Sequence, residues 1–123
     1  MAKVTRVDPT ESCFDIYKDW SIQPRQRKPG PPARIDGMTV GIVTLTDDAP
    51  HNGEMHPDGD ELLYVVSGRV RVTCDSDPDG ELILEQGQSC IVPKGEWHKV
   101  SILEESQLLH ITPGPNGDHR PLS

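Results

Sequence analysis

Glu54-Met55-His56-Pro57-Asp58-Gly59-Asp60-Glu61-Leu62-Leu63-Tyr64-Val65-Val66-Ser67-Gly68 is the stretch whose pattern organises this chain. It is followed by Gly87-Gln88-Ser89-Cys90-Ile91-Val92-Pro93-Lys94-Gly95-Glu96-Trp97-His98. Side chains alternate along an extended strand, so Glu54 and His56, two residues apart, share one face. Glu61 heads an apolar run after a turn region containing Pro57 and Gly59, and His98 comes from a strand that must pair nearby. Neutral imidazole and ionised carboxylate both donate lone pairs to borderline divalent cations, and such a cluster is costly to bury without one. Glu54, His56, Glu61 and His98 are therefore the candidate metal ligands.

Strand signals extend outward from this core. Residues 39–46 are β-branched and apolar, residues 61–66 continue that pattern, and residues 69–75 alternate Val70, Val72 and Cys74 with Arg69, Arg71 and Thr73. Ser76-Asp77-Pro78-Asp79-Gly80 reads as a hairpin connection, since Pro sets one turn angle and Gly supplies positive φ. Residues 81–84, 89–92, 98–103 and 107–112 complete about eight strands with no helical period. Regularly spaced strands without helices predict an antiparallel sandwich or small barrel. Residues 1–37 read as an irregular arm, anchored by Phe14, Ile16, Tyr17 and Trp20, because Pro24 to Pro32 suits neither a helix nor a central strand. The barrel is expected over residues 38–113 and a turn-rich surface tail over 114–123.

With 123 residues the chain is expected to form one domain with a core of its own. Three cysteines, Cys13, Cys74 and Cys90, make no paired framework and fit a reducing compartment. No apolar run reaches the ~18 residues of a bilayer span and the first residues lead into no signal-type segment, so the cytoplasm is the expected location. A net charge of −8 repels phosphate backbones and anionic lipid, which argues against nucleic-acid and membrane partners.

The two quoted segments resemble the paired motifs of the cupin superfamily, small β-barrels of jelly-roll type. The first family motif contains a glycine, two histidines one residue apart, a glutamate and a closing glycine. His56 stands at its second histidine, Glu61 at the glutamate and Gly68 at the end. The second motif matches at Gly87, Pro93, Gly95 and His98. The chain departs from the pattern at three positions: Asp48 replaces the opening glycine, Ile102 the final asparagine, and Glu54 the first histidine. Only the last of these alters a ligand position. The resemblance implies an all-β jelly-roll barrel holding a divalent metal ion, Fe(II), Mn or Zn. It also implies a homodimer in which an arm such as residues 1–37 crosses to the partner.

The metal reading leaves two roles open for Glu54. As a fourth ligand it gives two imidazoles and two carboxylates, neutral around a dication, and the added anionic oxygen lowers Lewis acidity. Off the metal it leaves His56, Glu61 and His98 as a set suited to Fe(II) and dioxygen, with Glu54 free as a general base. His51 is expected at the rim, and His110 on either face of the last strand. Tyr64 is expected on the outer face or at a subunit contact, Trp97 in ordinary packing, and Cys74 and Cys90 as small hydrophobes. Arg71 and Lys99 would hold an anionic substrate only if they point inward. The expected activity is that of a metal-dependent enzyme acting on a small organic molecule, with Fe(II) dioxygenase chemistry first. The alternatives are a metal-dependent isomerase, lyase or decarboxylase, and a non-catalytic small-molecule or metal-binding module.

Overall fold

A computed structural model describes residues 3–30 and 33–122, and all nine strands among them pair antiparallel. In chain order these are β1 (Ser12–Tyr17), β2 (Ile22–Gln26), β3 (Gly37–Leu45), β4 (Glu54–Met55), β5 (Glu61–Cys74), β6 (Asp77–Glu85), β7 (Ser89–Val92), β8 (His98–Gly114) and β9 (Asp118–His119). The two longest strands organise the rest. β5 pairs with β6, β7 and β8, while β8 also receives β3 along its C-terminal half and β4 at His98. The all-antiparallel strands agree with the sandwich or small barrel predicted from the strand pattern and with the jelly roll that the resemblance implies.

β5 is a single strand where the sequence reading placed two. Glu61, Leu63 and Val65 face inward, and beyond them Val70 and Val72 do so. A strict period of two cannot connect those sets, so the strand needs one irregularity to change parity. The pairing with β8 shifts register between Val65 and Val70, and Gly68 sits within that bulge at φ +93°. A Cβ on Gly68 would run into the Glu105 carbonyl and Ser106, so only glycine fits. Ser106, fully buried, accepts the Arg69 amide at 2.9 Å and satisfies the disrupted ladder. Gly68 thus serves a bulge inside β5. β8 likewise runs unbroken through residues 98–114 where two strands were expected.

The core consists of Leu63, Val65, Val70, Val72, Leu84, Val92 and Leu108, flanked by Val43, Leu45, Cys90, Val100 and Ile102. Tyr64 is half-exposed on the outer side, as the alternation requires. The hairpin between β5 and β6 turns at Asp75-Ser76, so that only Ser76 of the connection predicted over residues 76–80 lies in the turn and the rest belongs to β6. β6 pairs only with β5, and Pro78 sits on this edge strand where its missing N–H costs least.

The segment read as an irregular arm contains a hairpin, β1 and β2, that extends the sheet from β3. Its anchors differ from those expected. Trp20 occupies the turn at φ 71° and is 85% exposed, whereas Cys13 and Asp15 are buried. Asp15 Oδ1 accepts from Thr39 Oγ1 at 2.8 Å, and its other oxygen lies 2.9 Å from Arg25 Nε. A buried carboxylate paired in this way latches β1 and β2 to β3. Pro24 lies in β2, at the end of the sheet path, so the exclusion of proline from central strands held. The tail also departs from expectation, since β9 pairs with β4 through Glu54↔His119.

Candidate metal centre

Four strand ends deliver the four expected side chains to one place. β4 pairs with β8 at Glu54↔His98, which sets those two residues on neighbouring strands. Gly53, at φ +122°, permits this approach, for a Cβ there would lie 2.9 Å from the His98 carbonyl. His56 follows β4 on the Glu54 face, and its carbonyl accepts the Gly95 amide at 3.0 Å, tying it to the turn that precedes His98. Glu61 opens β5 opposite Val92.

The resulting distances fit a single cation. Glu61 Oε1 lies 3.0 Å from His98 Nε2, and Glu61 Oε2 lies 3.5 Å from His56 Nε2. Glu54 Oε1 stands 3.4 Å from His98 Nε2 and 3.6 Å from His56 Nε2. Ligands at ~2.1 Å from an ion are separated by roughly 3.0–3.4 Å for octahedral or tetrahedral angles, close to these values. His56, Glu61 and His98 are buried, and Glu54 is partly exposed. Among the described residues neither ring nitrogen of His56 has a hydrogen-bond partner. A buried imidazole facing two carboxylates without a hydrogen bond is the arrangement a metal ion would complete. The donor set therefore suits a divalent cation.

The neighbouring groups prepare these ligands. His98 Nδ1 lies 3.1 Å from the Glu96 carbonyl, which can only accept, so Nδ1 carries a proton and Nε2 is the atom turned to the candidate site. Burial alone would lower the His98 pKa, but hydrogen bonds to Glu54 and Glu61 outweigh it and push the value up to about 10. Burial would raise the Glu54 pKa, yet His56 and His98 hold it well below the usual carboxylate range. In the metal-free protein a proton on His98 thus stands in for part of the missing cationic charge. Glu61 Oε2 accepts from Thr112 Oγ1 at 2.6 Å, and Thr112 Oγ1 is 2.7 Å from His110 Nδ1. Because the carboxylate only accepts, the Thr112 hydroxyl points at Glu61 and must itself accept the His110 Nδ1 proton. Burial, reinforced by the charge of Arg34, pushes the His110 pKa down.

Several residues read from sequence fall elsewhere. His51 lies beside the site, its Nε2 3.9 Å from Glu54 Oε2. Its Nδ1 accepts the Gly53 amide at 3.1 Å, so the neutral ring turns an Nε2–H toward Glu54. Arg71 pairs with Glu81 at 2.9 Å, and Lys99 Nζ lies 3.4 Å from Asn52 Oδ1, so both are occupied away from the ligands. Trp97 packs under Arg120, whose guanidinium carbon is 4.1 Å from the ring centre. Cys90 and Cys74 are half-buried free thiols, and burial raises the pKa of Cys90 as expected for an inert group.

Three contributors escaped the sequence reading. His119 reaches Glu54 Oε2 at 3.4 Å, from a tail with no strand signal. Thr112 shares the inward parity of Leu108 and His110, a signal present in the strand but not used. Arg34, in a proline-rich stretch with no period, lines a cavity of about 150 Å³ that reaches Glu54 and Glu61. The walls of that cavity are mainly aliphatic, from Val43, Leu63, Val100 and Ile102, with His110 as a polar member.

A sequence model described as Cupin domain matches residues 41–112. No curated protein sequence matches the chain. Among solved structures, a cupin-2 domain containing protein from Shewanella frigidimarina superimposes with a TM-score of 0.53 at 24% identity, covering 67% of this chain and 76% of that one. A cupin superfamily protein from Desulfitobacterium hafniense gives 0.54 at 22%, covering 66% and 71%. Oxalate decarboxylase of Bacillus subtilis, a protein with Mn(II) centres, gives 0.55 at 25% identity, covering 69% of this chain and 24% of that one. Among the described residues no helix is long and apolar enough to cross a membrane.

Proposed function

The chain belongs to the cupin family, and on that footing we propose that it is a metal-dependent enzyme acting on a small organic molecule. His56, Glu61 and His98, with Glu54 through Oε1, hold one divalent ion, either Fe(II), Mn or Zn. The observation that carries this reading is the pair of partnerless nitrogens on buried His56, faced by two carboxylates within 3.6 Å. Four protein donors leave about two positions of an octahedral ion for substrate or dioxygen.

The bound ion would supply Lewis acidity and, as Fe(II), one-electron chemistry with dioxygen. Two anionic donors disfavour ionisation of a bound water, which places Fe(II) dioxygenase chemistry ahead of hydrolysis. The protein's own groups bind, orient and move protons. Aliphatic side chains form much of the wall of the cavity beside Glu54 and Glu61 and lower its polarity. His110, held neutral by burial, keeps Nδ1 protonated toward Thr112, which leaves Nε2 as a proton acceptor. Glu54, engaged with the ligand nitrogens through Oε1, is then the weaker candidate for a general base.

A metal-dependent isomerase, lyase or decarboxylase is the second reading, supported by the likeness to the Mn(II)-containing oxalate decarboxylase. A non-catalytic binding module would need neither an open coordination position nor His110. Anaerobic Fe(II) loading followed by nitric oxide separates enzyme from module. A new absorption band and an S = 3/2 resonance mark an open position, and an unchanged spectrum removes the enzymatic reading. We also infer a homodimer, supported by the edge strand β2 beside exposed Trp20 and Ile22. Light scattering giving one chain's mass at micromolar concentration removes it.

A further inference from the structure

Arg34 is a half-buried cation that feels the charges of Glu54 and Glu61 but has no direct ion-pair partner among the described residues. Its Nη1 is cut off from solvent and has no hydrogen-bond partner among the described residues. No carboxylate of the described residues comes within 4.0 Å of its guanidinium, although Glu54 and Glu61 line the same cavity. An unpaired guanidinium in such a place is costly unless an anion joins it.

The approach to Arg34 is as unusual as the residue. Beyond the inner cavity lies an outer chamber of about 800 Å³, lined among the described residues by Arg25, Arg27, Lys28 and Arg34 and by no Asp or Glu. Arg25 is neutralised by Asp15, and Arg27 turns to the Pro9 and Ile42 carbonyls, which leaves its charge uncancelled. The whole chain carries a net charge of −8, so this basic vestibule is a local reversal of sign. A concave region of one sign focuses the field and draws in the opposite charge. Arg34, Val43 and His110 line both chambers, so the guanidinium stands at their junction.

We propose that Arg34 is a substrate-binding residue that fixes the anionic end of a small organic carboxylate, which enters through the Arg25–Lys28 vestibule and presents its other end to the metal centre. This rests on the metal-dependent reading and adds a substrate class to it. The planar fork of arginine matches a carboxylate with two parallel N–H donors. An inner cavity of about 150 Å³ limits the remainder to a few heavy atoms. Arg34 and the ligand carboxylates then work at opposite ends of one molecule, Arg34 orienting it and His110 standing beside the bonds to be changed.

The test is calorimetric titration of acetate, glycolate and lactate, each beside its primary amide, into metal-free and Mn(II)-loaded protein. Mn(II) occupancy is counted separately by electron paramagnetic resonance. Wild type should prefer each carboxylate over its amide, and Arg34→Met should weaken carboxylate binding roughly tenfold to a hundredfold. Mn(II) affinity should not fall in that variant, since a positive charge beside Glu54 and Glu61 has been removed, and amide binding should stay unchanged. Arg34→Lys should retain part of the preference, because it keeps the charge and loses the fork. Without ligand, Arg34→Met should melt no lower than wild type, since a partly desolvated cation without a direct partner has been removed. Undiminished carboxylate binding by Arg34→Met overturns the proposal, as does a lowered melting temperature, or inorganic phosphate binding more tightly than every carboxylate. Should wild type take up no Mn(II) yet bind carboxylate in an Arg34-dependent way, the metal reading falls and the anion site stands.

Discussion

The Thr112 hydroxyl donates a 2.6 Å hydrogen bond to Glu61 Oε2, joining the C-terminal part of β8 to a candidate metal ligand 51 positions earlier in the chain. Both residues are almost wholly buried. The bond fixes the carboxylate plane, leaving Oε1 toward His98 and keeping Oε2 near His56. Supporting bonds of this kind orient ligands that would otherwise rotate.

Thr112→Val keeps the shape and removes the donor, and it also strands His110 Nδ1. Mn(II) affinity should fall about tenfold or more. The folded state should lose about 1–3 kcal/mol through the unpaired buried groups. Competition with a chelator of known affinity measures the first and urea denaturation the second. Affinity equal to wild type would mean that the hydroxyl does not position Glu61.

Glu54→Gln separates the two roles left open for that residue. Glu54 Oε1 lies within 3.6 Å of both ligand nitrogens, while Oε2 faces His51 and His119. A ligand losing its charge should weaken Mn(II) binding by about tenfold or more, or about 1.4 kcal/mol. A general base would leave affinity intact and remove turnover alone. Chelator competition on the variant decides, and full affinity excludes ligation by Glu54.

Proton linkage follows from His98. Its folded pKa, pushed up to about 10 by Glu54 and Glu61 against the opposing effect of burial, lies above the unfolded value near 6.5. The stability gained from protonation is therefore fully present below about pH 6.5. It is lost as pH rises through about 10. The metal-free protein should become easier to denature across that window. Mn(II) needs the Nε2 lone pair, so binding at pH 7.5 should release close to one proton. Calorimetry in buffers of different ionisation enthalpy counts it. Binding without proton release would show that His98 is already neutral.

The convergence of the four candidate ligands was legible because each depends on short spacing. Glu54 and His56 share a strand face by the period of two, and Glu61 and His98 head apolar runs whose alternation sets their direction. The bulge was half-legible. Leu63 and Val65 on odd positions, with Val70 and Val72 on even ones, already signal a parity change, but glycine marks a turn and a bulge alike. His119 and Arg34 were not legible, because β9 pairing to β4 and the position of residue 34 against the cavity arise from contacts distant in sequence. The β1–β2 hairpin was hidden for a related reason: its turn uses Trp20 at φ 71° where local rules expect glycine or asparagine.

Gly68→Ala tests how firmly the bulge holds the two halves of β5 in phase. The residue is fixed at φ +93°, and an added Cβ meets the Glu105 carbonyl and Ser106, both backbone-anchored. The strand cannot escape by slipping one position. That would turn Val70 and Val72 outward and bring Arg69 and Arg71 into the core, a worse outcome than the strain itself. The cost should therefore appear as lost stability, at least about 2 kcal/mol, with the remaining folded protein still able to bind Mn(II). Urea denaturation and chelator competition on the same sample check both halves. A stability within ~0.5 kcal/mol of wild type would mean that the bulge relaxes freely and that Gly68 is not what sets the register.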